Sequence, residues 1–231
     1  MRNGLTLMKA KISDIFFSVQ GEGLYAGSPQ VFVRFYGCQW RCRFCDTPLT
    51  AYEKYAPLEL YRQIKRFTQP YHSLCVTGGE PLLQKDFLKP FLKIIKYDGL
   101  TTYLETNGIL ADEVGQLIDD IDIIAMDFKL PSSTGMGAYW PQHRKFLKVA
   151  LQKEVFIKMV ICLATQRQDL ENAVNLILKL QAKETCVILQ PDFFELSREL
   201  LAKTRRLQKY CSRFLPCVKV IPQMHKISGV R

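Results

Sequence analysis

In the stretch Cys38-Gln-Trp-Arg-Cys42-Arg-Phe-Cys45, three cysteines are spaced by three residues and then by two. Directly before them runs Val31-Phe-Val-Arg-Phe-Tyr-Gly37, β-branched and aromatic enough to predict a strand that ends at a glycine turn. A strand that empties into a cysteine loop presents several thiolates to one metal centre. Iron–sulfur clusters usually take four thiolates, so a three-cysteine loop leaves one iron open to another ligand. A structural zinc site normally has a second ligand pair, another C-x2-C or an H-x3-H, and this sequence has none.

The rest of the composition fits a reducing compartment. The 231 residues include eight cysteines. No apolar run reaches the roughly 18 residues of a membrane helix, and the first residues lack the apolar stretch of a signal peptide. A cytoplasmic location is expected, with metal binding favoured over disulfides. Cys75, Cys162 and Cys186 fall inside predicted strands and read as buried apolar thiols, whereas Cys211 and Cys217 have no ligand spacing. A net charge of +10 invites a nucleic-acid reading. The basic residues are dispersed, however, and no nucleic-acid motif is present, so the charge better serves an anionic small substrate or an acidic protein partner.

One domain over residues 1–231 is expected, because no repeat or linker interrupts the chain. Strands are predicted near residues 11–17, 31–37, 73–77, 101–105, 121–126, 155–161, 185–189 and 218–221. Helices are predicted near 58–67, 86–96, 112–118, 142–152, 168–181 and 196–209. This alternation gives an α/β chain with about six parallel strands, arranged as an incomplete barrel or a strongly curved sheet. Polar signatures follow the strands: the cysteine loop, Gly78-Gly79-Glu80, Glu105-Thr106-Asn107, Asp127-Phe-Lys129 and Gln190-Pro191. In parallel α/β folds that rim is the ligand face.

The C-x3-C-x2-C loop with Phe44 before its last cysteine, together with Thr77-Gly-Gly-Glu-Pro81, resembles the signatures of the radical S-adenosylmethionine enzymes. The resemblance implies that Cys38, Cys42 and Cys45 hold a 4Fe-4S cluster whose fourth iron is chelated by the methionine end of S-adenosylmethionine. It also implies cofactor contacts from Gly78, Gly79, Glu80, Glu105, Asn107, Ser133 and Gln190. The paired glycines allow close backbone approach, and Glu80 suits the methionine ammonium.

Gln20-Gly21-Glu22-Gly23, Arg34, Asp46-Thr47 and Gln223-Met-His225-Lys226 add a narrower resemblance, covering nearly the whole chain, to the 7-carboxy-7-deazaguanine synthase family of the queuosine pathway. Abbreviated helices around the barrel are part of that likeness. It implies radical ring contraction of 6-carboxy-5,6,7,8-tetrahydropterin with release of ammonia. The implied substrate contacts are Gln20, Gly21, Glu22, Arg34, Thr77, His225 and the C-terminal Arg231, with Thr47 as a magnesium ligand. Glu22 suits the N–H donors of a pterin edge, and Arg34 suits its carboxylate. The family also implies a homodimer and a flavodoxin or ferredoxin as electron donor.

Three other readings explain less. A glycyl-radical activase shares the cysteine loop but leaves Glu22, Thr47 and His225 without a role. An electron-transfer or iron-sensing protein has no use for the glycine–glutamate turn, and a tRNA-binding module rests on charge alone.

Overall fold

The computed structural model describes residues 8–47 and 50–229. Its strands are β1 (Ala10–Val19), β2 (Pro29–Phe35), β3 (Glu53–Tyr55), β4 (Ser73–Gly78), β5 (Thr102–Thr106), β6 (Ile123–Asp127), β7 (Glu154–Ile161), β8 (Val187–Pro191) and β9 (Val218–Val220). The helices are α1 (Pro57–Ile64), α2 (Lys85–Tyr97), α3 (Ala111–Gly115), α4 (Pro131–Thr134), α5 (Trp140–Ala150), α6 (Arg167–Lys179), α7 (Arg198–Cys211) and α8 (Met224–Ser228). No helix among the described residues is long and apolar enough to cross a membrane.

All nine strands form one sheet in the order β3-β1-β2-β4-β5-β6-β7-β8-β9. From β2 to β9 every neighbouring pair is parallel, which makes seven parallel strands, with the three-residue β9 completing the run. β1 pairs antiparallel with both β2 and β3, so the sheet starts with an antiparallel margin. Among the described residues no pairing joins β3 to β9, and the barrel stays open. β3 lies in the insert after the cysteine loop, where Glu-Lys-Tyr is too short and too polar to read as a strand from sequence.

Strand periodicity sorts side chains into two apolar layers. On β7, Ile157, Met159 and Ile161 join the large core beneath the helices. Their neighbour Phe156 faces the concave side, with Phe16, Phe32, Tyr103 and Ile188. This second layer floors the barrel, and Phe16 stacks on Phe32 with ring centroids 5.0 Å apart. The helices bury apolar stripes against the outer face; in α6 these are Leu170, Ala173, Val174 and Ile177. Pro131-Ser-Ser-Thr134, which reads as loop from sequence, forms the single turn α4, with proline opening it and Gly135 closing it at positive φ.

Two cysteines depart from expectation. Cys186 and Cys217 form a disulfide with a Cα–Cα distance of 4.7 Å, where sequence context predicts reduced thiols. Parallel pairing of Val187 with Val218 brings the residues just before β8 and β9 side by side, a proximity that a separation of 31 residues conceals. Cys75, Cys162 and Cys211 are free and buried. Denatured without reductant, the metal-free chain is expected to titrate six thiols with a chromogenic disulfide reagent and eight after reduction. Eight thiols at the outset would contradict the pairing.

Candidate functional site

A cavity of about 880 Å³ opens at the C-terminal ends of the parallel strands, above the floor made by Phe16 and Phe32. The cysteine loop, the ends of β4 to β8, the turn before β2 and the C-terminal segment all contribute to its wall. Cys38, Cys42 and Cys45 line it together. The loop is fixed from two sides. The Cys45 amide donates to the Cys42 carbonyl (3.0 Å), and the Arg43 amide donates to the Thr134 carbonyl at the end of α4 (3.0 Å). Trp40 packs on Tyr139, with ring centroids 4.4 Å apart.

The glycine–glutamate turn grips the start of that loop. The Gly79 amide donates to Phe35 O (3.0 Å) and the Glu80 amide to Gly37 O (2.9 Å). Gly78 has φ +130°, and a Cβ there would lie 2.2 Å from Phe35 O; a Cβ on Gly79 would lie 2.1 Å from Gly37 O. Both glycines are thus required for backbone-to-backbone contact with the cysteine loop, and both also line the cavity.

Glu80 has a different place from the one its sequence context predicts. It is completely buried, and its carboxylate accepts from the Leu82 amide (3.1 Å), the Asn107 amide (2.8 Å) and the Thr106 hydroxyl (3.0 Å). Burial pushes its pKa up, against the pull of those donors, to about 7. It ties β4 to the Thr106-Asn107 turn from behind the wall. Ser133 also lies off the wall, fully buried, its hydroxyl 2.7 Å from that of Thr165. α4 turns it inward because Asp169 holds the neighbouring Ser132 amide (2.9 Å).

Other expected cofactor contacts do line the cavity, and several lack protein partners. Both side-chain amide atoms of Asn107, Oε1 of Gln190 and Oδ1 of Asp127 are buried without a hydrogen bond among the described residues. Buried polar atoms are almost always paired, so a wall with four such atoms is built to meet a polar ligand. Three thiols on one loop lining the cavity, with this set of donors and acceptors, fit a cluster and an amino-acid-bearing cofactor.

The cavity wall also carries a chain of charges. Glu22 pairs with Lys158 of β7 and accepts from the Gln223 amide (2.8 Å). The same Gln223 nitrogen donates to Asp46 beside the cysteine loop (3.1 Å), and Asp46 pairs with Lys226. Burial pushes the Glu22 pKa up, but the Lys158 charge and the hydrogen bonds from Lys158 and Gln223 outweigh it and hold Glu22 well below the usual carboxylate range. Gln20 is the hub beside it. Its side chain donates to Glu105 (3.0 Å) and Gln30 (3.0 Å) and accepts from the Glu22 amide (3.0 Å). Glu105 also accepts from Thr77 (2.6 Å). Arg34 lines the cavity with its guanidinium 5.4 Å from the Phe16 ring centroid. Thr47 lines it too. His225 packs on Gly21, where an added Cβ would fall 2.0 Å from Nδ1, and the Met224 amide donates to Gly21 O (2.9 Å). Arg231 lies outside the described residues.

The structure therefore brings together Gln20, Gly21, Glu22, Arg34, Thr77, His225, Thr47, Glu105, Asn107, Gln190 and the three cysteines, and leaves Glu80 and Ser133 behind the wall. The sequence places Gln223 and Asp46 in motifs without giving either a role of its own, and it gives Lys158 none. It marks Asp127 and Lys129 only as rim polarity, yet their side chains pair at 2.7 Å inside the cavity. The one available signal for Lys158 was a lone cation at an inward position of an apolar strand.

An α/β half-barrel with three thiols at its strand-end rim defines a class of cluster-dependent enzyme, and the Radical SAM superfamily model matches residues 32–177. Among curated proteins, the 7-carboxy-7-deazaguanine synthase of Geobacter sulfurreducens is 33% identical over 95% of this chain and 97% of its own. That of Archaeoglobus fulgidus is 31% identical over 97% and 100%. The crystal structure of QueE from Escherichia coli shares the fold with a TM-score of 0.68, at 20% identity over 96% of this chain and 99% of that one. The chain belongs to the radical SAM superfamily and, within it, to the 7-carboxy-7-deazaguanine synthase family.

The Gly79 contact gives a direct test of how the loop is held. Gly79→Ala places a methyl against the Gly37 carbonyl, and the loop must move away. Iron bound per chain after anaerobic reconstitution is expected to fall severalfold, with far-ultraviolet circular dichroism retained. Full iron loading would contradict this account of the turn.

Proposed function

We propose that this chain converts 6-carboxy-5,6,7,8-tetrahydropterin to 7-carboxy-7-deazaguanine with release of ammonia, in the pathway to queuosine. The observation that carries the reading is that one cavity is lined together by the three loop thiols, by an ionised, hydrogen-bonded Glu22 and by Arg34. When bound, the 4Fe-4S cluster and S-adenosylmethionine supply a 5′-deoxyadenosyl radical able to take hydrogen from substrate C6.

Every other part of the work falls to the chain. Cys38, Cys42 and Cys45 hold the cluster. Gly78 and Gly79 keep the loop within reach of the Asn107, Gln190 and Asp127 side chains, which serve as polar contacts for S-adenosylmethionine. Glu80 supports this set by holding the Asn107 amide rather than by meeting the ammonium. Glu22 accepts the paired N–H donors of the pyrimidine edge, with Gln20 and the Gly21 backbone beside it. Arg34 makes a two-pronged bond to the substrate carboxylate, and His225 adds a donor from the C-terminal segment. Thr77, bonded to Glu105, closes the side of the pocket next to β4. Ring contraction is directed by a substrate anchored at both its pyrimidine edge and its carboxylate, with C6 held towards the cluster wall.

Further features of the family belong to the same reading. Thr47 would hold magnesium through its one hard hydroxyl oxygen, and the ion would supply positive charge next to the substrate's oxygens. The chain acts as one domain, as a homodimer in the cytoplasm, and receives its electron from flavodoxin or ferredoxin. A basic chain suits an acidic donor.

Anaerobic reconstitution followed by addition of S-adenosylmethionine, reductant, magnesium and carboxytetrahydropterin tests the reaction. The expected result is the deazaguanine chromophore. Formation of 5′-deoxyadenosine without it would retain the superfamily chemistry and reject the substrate. Glu22→Ala and Arg34→Ala are each expected to lower kcat/KM by about 100-fold, the cost of losing a charged hydrogen-bond partner, while the cluster's brown colour persists. Loss of colour would instead make them structural residues.

A further inference from the structure

Lys158 sits in Val155-Phe-Ile-Lys-Met-Val-Ile161, an apolar strand in which an unpaired buried cation would cost several kcal/mol. It occupies an inward position directly above the Phe156 floor, and its side chain is only 15% exposed. Two carboxylates come within ion-pair distance of its ammonium: Glu22 in direct contact and Asp127 at 3.7 Å. Asp127 already has Lys129 at 2.7 Å, so Glu22 is the partner that depends on Lys158. Among the described residues no other cation forms an ion pair with Glu22.

We propose that Lys158 is a positioning residue for the substrate: its ammonium fixes the charge and the direction of Glu22, the group that reads the N–H edge of the pyrimidine ring. This inference rests on the pterin reading above. A carboxylate can accept two N–H bonds from the ring edge, whereas a protonated carboxyl turns a hydroxyl donor towards those donors and loses the match. The Glu22 carboxylate is faced by Lys158 from β7 and by Gln223 and His225 from the C-terminal segment, while its own backbone amide donates to Gln20 Oε1. Asp127 and Glu105 lie beyond Lys158 and add negative potential. With the lysine removed, burial and those two carboxylates act against the ionised form, opposed by Gln223 and His225 alone. The Glu22 pKa therefore rises in such a variant. Sign follows from linkage: the variant's defect is greatest at low pH, where Glu22 is protonated, and shrinks as pH rises through the new pKa.

The test uses the anaerobically reconstituted protein and 6-carboxypterin as a fluorescent probe, with Kd measured from about pH 6 to 9, a range that brackets a raised carboxyl pKa. Lys158→Met is expected to raise Kd about 10- to 100-fold near neutral pH, as for loss of a charged hydrogen-bond partner. The variant-to-parent ratio, in which titration of the probe cancels, is expected to fall as pH rises. Lys158→Arg, which keeps the cation, restores most of the affinity. If Lys158→Met does not fold, Lys158→Gln retains a donor without the charge and is expected to show the same pH-dependent ratio. A ratio that is flat in pH, an unchanged Kd, or an arginine variant as weak as the methionine variant would overturn the proposal while leaving the pterin reading intact. A parent protein that binds no 6-carboxypterin would remove the pterin reading itself, and this inference with it.

Discussion

Two backbone hydrogen bonds, from Gly79 to Phe35 and from Glu80 to Gly37, join the end of β4 to the start of the cysteine loop. Nearly everything about the site depends on that join. Only glycine at both 78 and 79 lets the two backbones approach, because a Cβ at either position would lie within about 2.2 Å of a carbonyl oxygen. Glu80 extends the same contact sideways by accepting from Thr106 and from the Asn107 amide, so β4, β5 and the cysteine loop form one rigid corner. Gly78, Gly79, Thr106 and Asn107 of this corner line the cavity together with the thiols.

The other half of the pocket is held by charge rather than by backbone. Lys158, Glu22, Gln223, Asp46 and Lys226 run from the barrel interior across the cavity mouth to the cysteine loop. Each carboxylate in the series meets a cation and a shared amide donor, which offsets the cost of burying it. The arrangement also connects residues far apart in sequence. Gln223 reaches back to Glu22 and to Asp46, so the C-terminal segment is part of the pocket rather than an appendage. The disulfide between Cys186 and Cys217 lies in the floor below it and fastens the short β9, the strand that leads into this segment.

Much of this was present in the sequence as local pattern. The cysteine loop after a strand, the close backbone approach of the paired glycines and the alternation of strands and helices each depend on neighbours along the chain, and all three appear in the structure. Features that rest on non-local pairing did not show. Cys186 and Cys217 become neighbours only through the register of β8 with β9. The antiparallel β3 is three polar residues that gain strand character from β1 alone. Lys158 reads as an interruption in an apolar run until Glu22 is placed opposite it. Glu80 and Ser133 illustrate the converse, since each stands at a motif position while its side chain turns away from the cavity to satisfy buried partners.

The central claim is that the three-thiolate loop holds a cluster with one iron open inside this cavity, next to the unpaired polar atoms of Asn107, Gln190 and Asp127. Electron–nuclear double resonance on the reduced, reconstituted protein tests it most directly, using S-adenosylmethionine labelled with 15N at the amino group and 17O at the carboxylate. Hyperfine coupling of both labels to the cluster is the predicted result. A cluster signal that is unchanged by the cofactor, with no coupling to either label, would contradict it.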